Sequence, residues 1–141
     1  MLTRALFLVV LMLGAGAPIE AGAQEAKVLA LGLSDHEVTQ AEVETGEALP
    51  PPHFNTGGVA YGLAADLKKG DAVEVALVKD GKPLHINSET LAEDSARVLL
   101  QAGKRGVPAG GWPEGQYAAT IKVTRDGKTL IEQSSTPIPI E

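Results

Sequence analysis

The feature that most constrains the fold is a pair of Asp-Gly dipeptides, each placed between segments in which apolar and polar residues alternate. Asp80-Gly81 and Asp126-Gly127 occur 46 residues apart within two similar stretches. Asp-Gly adopts the positive φ angles of a two-residue hairpin turn, whose twist matches that of the flanking strands. The sequence therefore predicts two β-hairpins.

Alternation with period two identifies the strands around these turns. The apolar faces consist of Val73, Val75 and Leu77 in residues 72–79, and of Tyr117, Ala119, Ile121 and Val123 in residues 116–124. Such patterns are typical of antiparallel strands with one face on a core. Further strands are predicted at 27–33, 59–65, 84–87 and 129–134. We expect 72–79 beside 116–124 in one sheet, and 27–33, 59–65 and 95–101 in the other.

Prolines and one ambiguous segment refine this arrangement. Pro83 cannot donate to a ladder, so the second strand of the first hairpin should lie at a sheet edge, and Pro137 and Pro139 indicate an edge strand or extended tail at the C-terminus. Residues 88–102 fit a helix behind an Asn87 or Ser88 cap, or a turn followed by a strand. The second interpretation is favoured because the surrounding architecture is all-β.

The segment 34–58 is the least regular part of the chain. It is acidic at first and then contains three consecutive prolines at 50–52 and the turn-forming run Asn55-Thr56-Gly57-Gly58. Proline favours extended geometry and glycine permits a turn into the next strand. Val38 and Val43 could pair briefly with a sheet. The sequence leaves open whether this long loop binds something or is mobile.

The stretch 111–117 supplies a resemblance to known proteins. Its motif residues are Gly111, Trp112, Pro113, Gly115 and Tyr117. This turn, together with the strand and hairpin after it, resembles the last third of small extracytoplasmic bacterial domains with an immunoglobulin-like β-sandwich. The likeness covers about residues 57–135 and implies a sandwich of about seven strands. Tyr117 stands where a tyrosine corner would lie, its hydroxyl bonding back to the main chain, and Trp112 is expected to pack beside it.

The N-terminus predicts export. Residues 1–23 have the layout of a secretory signal peptide, with Arg4 as the positive start, an apolar run at 6–13 and a small-residue cleavage site at 21–23. A similar site at 15–17 is disfavoured by Pro18 at the scissile bond. The mature β-sandwich domain is thus expected at 24–141, without a membrane anchor because the apolar run is too short to cross a bilayer.

Charge and composition restrict the classes of partner and cofactor that are expected. The net charge is −6, and it stays −6 after processing because Arg4 and Glu20 leave together. A negative chain repels phosphate backbones and anionic membrane surfaces, so nucleic acid is not expected as a partner. The chain has no cysteine and no twin-arginine motif, so neither lipid attachment, nor a disulfide, nor a cofactor loaded in the cytoplasm is expected.

The alternative function is that of an extracytoplasmic protein that binds copper or zinc through surface histidines. The available ligands are His36, His53 and His85. The first two fall in the irregular segment, and His85 faces outward if Leu84 and Ile86 face the core. No two have the spacing of a preformed site, and the mature chain lacks the Cys and Met ligands that select Cu(I). Surface histidines are therefore the simpler interpretation.

Catalytic chemistry finds little support in the sequence. Ser34-Asp35-His36 contains the residue types of a triad, but adjacent positions rarely converge on one atom, and no Gly-x-Ser-x-Gly elbow is present. A glycosidase needs two carboxylates across a cleft, for which a small sandwich offers few places. We expect no enzymatic activity and no cofactor.

The sequence thus predicts an exported, non-enzymatic accessory or interaction module for another envelope or secreted protein. The expected contact surfaces are the 34–58 loop, with His53, Phe54 and Asn55, and the outer face of the sheet that holds the two hairpins. Phe54 is the aromatic residue best placed to anchor a partner. Periplasmic and secreted locations both remain open, as does the oligomeric state.

Overall fold

A computed structural model describes residues 25–46 and 49–140, and the signal peptide predicted at 1–23 lies outside the described residues. The predicted antiparallel β-sandwich is confirmed. The described residues form one short helix and eight strands: β1 (Lys27–Ser34), α1 (Gln40–Glu44), β2 (Gly58–Leu67), β3 (Ala72–Lys79), β4 (Lys82–Thr90), β5 (Ser95–Lys104), β6 (Gly115–Arg125), β7 (Lys128–Ser134) and β8 (Ile138–Ile140). No helix in this part of the chain is long and apolar enough to cross a membrane.

The strands divide between two sheets as the alternation predicts. One sheet has the order β1-β2-β5. In the other, β3 lies between β4 and β6, and both β7 and β8 pair with the far side of β6. Constant-type immunoglobulin domains place their fourth strand in the sheet of the first two. Here β4 pairs with β3 instead, which makes β4 an edge strand, as Pro83 predicts.

Both predicted hairpins are present, each with left-handed backbone at its two turn residues. The φ angles are 51° and 83° at Asp80 and Gly81, and 53° and 77° at Asp126 and Gly127. In residues 88–102 the favoured turn and strand are present after residues 88–90, which still belong to β4, and β5 begins at Ser95. The C-terminal segment is an edge strand, in which Pro139 lies opposite Gln116 of β6.

The core lies between the sheets and is made of the alternating side chains. Its fully buried members include Val73, Val75, Leu77, Ile121 and Val123. Gly62 of β2 faces this layer, and a Cβ added there would lie 2.9 Å from the Ile121 side chain. The glycine therefore lets the two sheets approach closely at the centre of the sandwich.

The segment after β1 does not pair with a sheet, which corrects the expectation for Val38 and Val43. These two side chains are 3% and 8% exposed and pack on Leu63, on the outer face of the three-stranded sheet. The Gln101 amide fixes the segment, accepting from the Val38 N–H at 2.8 Å and donating to its carbonyl at 2.9 Å. A third layer thus covers this sheet, and it includes the unpredicted helix α1.

Helix α1 is short but well capped. Thr39 accepts a hydrogen bond from the Glu42 N–H, and the Glu42 side chain accepts one from the Thr39 N–H. This capping box satisfies two donors that a helix N-terminus otherwise leaves free. Its Thr-x-x-Glu spacing is visible in the sequence, although packing of Val43 is needed to make five residues helical.

A buried ion pair joins two turns at the end of the sandwich where β2 stops. The Asp71 side chain is fully buried and accepts from Arg125 at both oxygens, with distances of 2.8 Å from Nε and 2.9 Å from Nη2. The Lys68 N–H also donates to it at 2.8 Å. Arg125 holds the pKa of Asp71 below its usual value. Sequence analysis did not anticipate this pair, because its partners are 54 residues apart.

Candidate protein-binding site

Trp112 and Tyr117 close one end of the sandwich, as the sequence predicts. Tyr117 is fully buried and its hydroxyl donates to the Pro113 carbonyl at 2.6 Å, which is the tyrosine-corner geometry. The Trp112 ring is 3% exposed and meets Tyr117 edge to face, with centroids 5.9 Å apart. Such pairs stabilise beyond the area they bury. The two rings give the loops at this end a rigid base.

Trp112 also holds the turn at residues 53–56. Its backbone N–H donates to the Phe54 carbonyl at 3.2 Å, and its indole Nε1 donates to the Thr56 carbonyl at 2.8 Å. Within the turn, the Thr56 hydroxyl accepts from the His53 N–H at 2.8 Å. The turn is therefore fixed both by its own bonds and by the aromatic base beneath it.

Phe54 is the half-exposed aromatic side chain on this turn. Its exposed fraction is 49%, and its other half rests on Gly111. Gly111 has a φ of 81°, and a Cβ there would lie 2.3 Å from a Phe54 ring carbon. Only glycine both permits this backbone and lets the ring approach so closely. Phe54 is consequently held in place with one face open to solvent.

A groove of about 470 Å³ runs beside Phe54. Its lining consists of His53, Phe54, Asn55, Pro139 and Ile140. The three residues selected from the sequence are thus brought together, and strand β8 supplies two that sequence analysis missed. Pro139 and Ile140 were recognisable only as part of an edge strand. An aromatic ring and a proline, flanked by an imidazole and an amide, suit an apolar side chain presented by a polar backbone.

His36 is placed away from this groove, in a clamp of carboxylates. Its Nδ1 lies 2.7 Å from Asp35 Oδ1, and its Nε2 lies 2.9 Å from Glu42 Oε2. Both ring nitrogens can donate together only when the imidazole is protonated. The hydrogen bond to Asp35 contributes most, and the one to Glu42 next, to raising the pKa of His36 above its usual 6.5. The bond from His36 in turn lowers the pKa of Glu42.

The two hydrogen bonds of His36 to carboxylates predict that the stability of the fold depends on pH. A raised pKa in the folded chain means that the His36 contribution is fully present below pH 6.5 and is lost as the pH rises through the folded pKa. We expect the thermal midpoint to fall as the pH rises above 6.5, with a flatter profile in His36→Gln. Scanning calorimetry at several pH values measures this, and an NMR titration of His36 checks the pKa directly. Identical profiles for the two chains would contradict the prediction.

Ser34 lies beside His36 and approaches the same ring nitrogen, Nδ1, that Asp35 contacts, whereas a catalytic triad places these two partners on opposite nitrogens. Ser34 Oγ is 3.2 Å from His36 Nδ1 and also accepts from the His36 N–H. Its side chain is fully buried, so a substrate cannot reach the hydroxyl. The bond instead shapes the turn that leads out of β1.

The orientation expected for His85 is wrong. Leu84 and Ile86 are 44% and 57% exposed, whereas His85 turns inward and meets Trp112 edge to face at 6.3 Å. A bulge in β4 changes the register here, because Leu77 pairs with His85 and Val78 with Pro83, which leaves Leu84 as the extra residue. In the described ranges no group of three or more His, Cys, Asp or Glu side chains is positioned to hold a metal. The geometry therefore does not favour the metal-binding alternative over the groove.

Comparison with protein-family models and with curated proteins gives no match.

Proposed function

We propose that this protein is an exported, non-enzymatic interaction module that binds another envelope or secreted protein through the groove beside Phe54. The observation that supports the proposal is the preformed aromatic anchor. Phe54 is half exposed, yet it is held on Gly111 and tied to Trp112. Immobilised aromatic side chains at the centre of a groove contribute most to protein interfaces because little entropy is lost on binding.

The composition of the groove indicates the kind of contact. Phe54 and Pro139 offer apolar surface, and His53 and Asn55 offer hydrogen-bonding groups beside it. Protein interfaces commonly combine apolar contacts with hydrogen bonds. Pro139 has no backbone N–H to offer to a further strand, so we expect the partner to contact the groove through side chains.

Export and the absence of catalysis are part of the proposal. The three-part N-terminal signal supports export to the periplasm or the medium. The buried hydroxyl of Ser34 supports a role without nucleophilic chemistry. The negative charge of the chain favours a partner other than nucleic acid.

Removing the Phe54 ring should abolish partner capture. A photoreactive residue at Asn55, beside the anchor, should crosslink one protein in the native compartment. Phe54→Ala in the same chain should reduce that product at least about tenfold, the loss expected for an interface hot spot. Western blotting of the crosslinked species provides the measurement.

Leu29→Ala is the matched control, because Leu29 is 44% exposed on β1 and lies outside the groove. It should leave the yield unchanged. An equal yield from Phe54→Ala and wild type, or no product at Asn55, would contradict the proposal.

A further inference from the structure

The two Asp-Gly turns have the same backbone geometry and closely matched neighbours in the sequence. They read Lys-Asp-Gly-Lys in residues 79–82 and Arg-Asp-Gly-Lys in residues 125–128, and the outer residues of each run pair across the hairpin. Both turns are exposed, and a Cβ added to the glycine of either one would meet no atom within 4 Å. A difference in reactivity between the two aspartates must therefore come from the groups around their carboxylates.

An Asp-Gly peptide can undergo a reaction of its own. The backbone nitrogen of the glycine attacks Cγ of the aspartic acid, so that an N–Cγ bond forms, the Cγ–O bond breaks, and the hydroxyl leaves as water with the amide proton. Hydrolysis of the resulting five-membered imide adds one water back. Breaking the bond from nitrogen to the former main-chain carbonyl gives isoaspartate, in which the chain continues through Cγ, and breaking the other bond restores aspartate. Glycine favours the attack because it has no Cβ to hinder the approach.

The Asp80 carboxylate is held by the strand beside its turn. Its Oδ1 accepts from the Gln116 N–H at 3.0 Å, and its Oδ2 accepts from Lys79 Nζ at 2.8 Å. An added Cβ on Gly115 would lie 2.9 Å from the same Oδ2, so the carboxylate also packs closely on this glycine. The Gln116 N–H contributes most, and Lys79 next, to holding the pKa of Asp80 below its usual value. Attack on Asp80 therefore requires that its side chain first leave these donors and gain a proton.

The Asp126 carboxylate has no such support. Asp126 is exposed, and among the described residues its carboxylate is engaged only by electrostatic attraction to Arg125. The Arg125 guanidinium itself donates to both oxygens of the buried Asp71. The Asp126 side chain can therefore rotate toward the Gly127 nitrogen without breaking a hydrogen bond.

We propose that Asp126, and not Asp80, converts spontaneously to isoaspartate in the folded chain. The two sites share their turn and their sequence, so the bond from the Gln116 N–H is the main difference between them. A hydrogen bond to a charged group slows a reaction about tenfold when it must break first, so we expect isoaspartate to form at least about tenfold faster at Asp126 than at Asp80.

The modification falls next to the buried ion pair. Isoaspartate adds one methylene to the main chain, and a two-residue turn between paired strands has little room for it. Arg125 directly precedes the altered residue, so its bonds to Asp71 are the contacts most exposed to the change. The converted chain should therefore unfold at a lower urea concentration than the unconverted one. These residues lie outside the groove beside Phe54, so the inference stands or falls independently of the proposed function.

Incubation of the purified, folded chain at neutral pH, followed by peptide mapping, tests the proposal. Fragmentation of the two turn peptides in a mass spectrometer distinguishes isoaspartate from aspartate. Asp80 is the matched control, because it is present in every sample. Isoaspartate should accumulate at Asp126 and remain scarce at Asp80. Equal rates at the two sites, or a faster reaction at Asp80, would overturn the proposal.

The same incubation in guanidinium chloride provides the second control. Unfolding removes the Gln116 bond to Asp80, so both sites should then react at the same rate. A difference that persists in the unfolded chain would come from sequence and not from the fold. A chain that forms isoaspartate at Asp126 only when unfolded would show that this turn is protected as well. Either result would overturn the proposal.

Urea unfolding of the converted chain, separated by chromatography, measures the effect on the ion pair. The loss of stability should be smaller when conversion occurs in Asp71→Ala, because the pair is already absent there. Equal losses in the two chains would overturn the expected link between the turn and the ion pair.

Discussion

Asp71→Ala is expected to lower the free energy of unfolding by about 3 kcal/mol, near the lower end of the range for breaking a buried ion pair. The Asp71 side chain is fully buried, and it receives both Arg125 bonds and the Lys68 N–H. Removing it leaves these donors unsatisfied. Arg125 is 30% exposed, so part of its charge can turn to water, which keeps the loss from being larger. Urea unfolding followed by Trp112 fluorescence measures it.

The matched control is the exposed pair of Arg105 and Glu37, whose side chains are 79% and 57% exposed at 3.7 Å. Glu37→Ala should change stability by less than about 0.5 kcal/mol. Because Arg125 lowers the pKa of Asp71, the stability from this pair is present above the unfolded pKa and is lost as the pH falls through the folded one. If Asp71→Ala cost no more than Glu37→Ala, the pair would have no structural role.

Trp112→Ala should cost about 3–5 kcal/mol, the usual loss for a buried tryptophan. The indole packs on Tyr117 and on His85, and it donates to the Thr56 carbonyl. We also expect capture of the partner to fail in this variant, because the 53–56 turn loses its support. Circular dichroism during thermal unfolding measures stability without the tryptophan signal.

Two further variants separate the effect of this site on stability from its effect on partner capture. Trp112→Phe keeps an aromatic ring but loses the donor, so it should cost less than the alanine variant and still weaken partner capture. Phe54→Ala removes a half-exposed ring and should leave most of the stability intact while abolishing capture. A Trp112→Ala chain as stable as wild type would show that the end of the sandwich does not depend on this ring.

Strand positions and pairing could be predicted because they follow from short-range patterns. The alternation in 72–79 and 116–124 predicted that Val75 and Ile121 face the core on neighbouring strands, and the structure buries both of them there. The Asp-Gly turns fixed each hairpin without any knowledge of the rest of the chain. The aromatic contact of Trp112 with Tyr117 followed from their place at the start of a late strand.

Other features could not be predicted because they depend on residues far apart in the chain. The Asp71 and Arg125 pair depends on the register between β3 and β6, in which Ala72 lies opposite Thr124, and the approach of Pro139 to Phe54 depends on the position of β8 beside β6. The orientation of His85 was predicted wrongly because β4 has a bulge at Leu84, which the ladder with β3 skips, so the simple rule that apolar residues face inward does not hold there. The alternation of apolar and polar residues does not show where a bulge interrupts it.

The layer formed by Val38 and Val43 explains an irregularity in the sequence of β2. This strand reads GVAYGLAADL and lacks the polar alternation of its neighbours. One of its faces meets the main core through Ala60 and Ala64, and the other meets the covering segment through Leu63. Strands enclosed on both sides are usually found in parallel sheets, where they read as continuous apolar runs. An unbroken apolar strand in an otherwise alternating antiparallel domain is thus the mark of a hidden third layer, and it can be sought in any sequence of this kind.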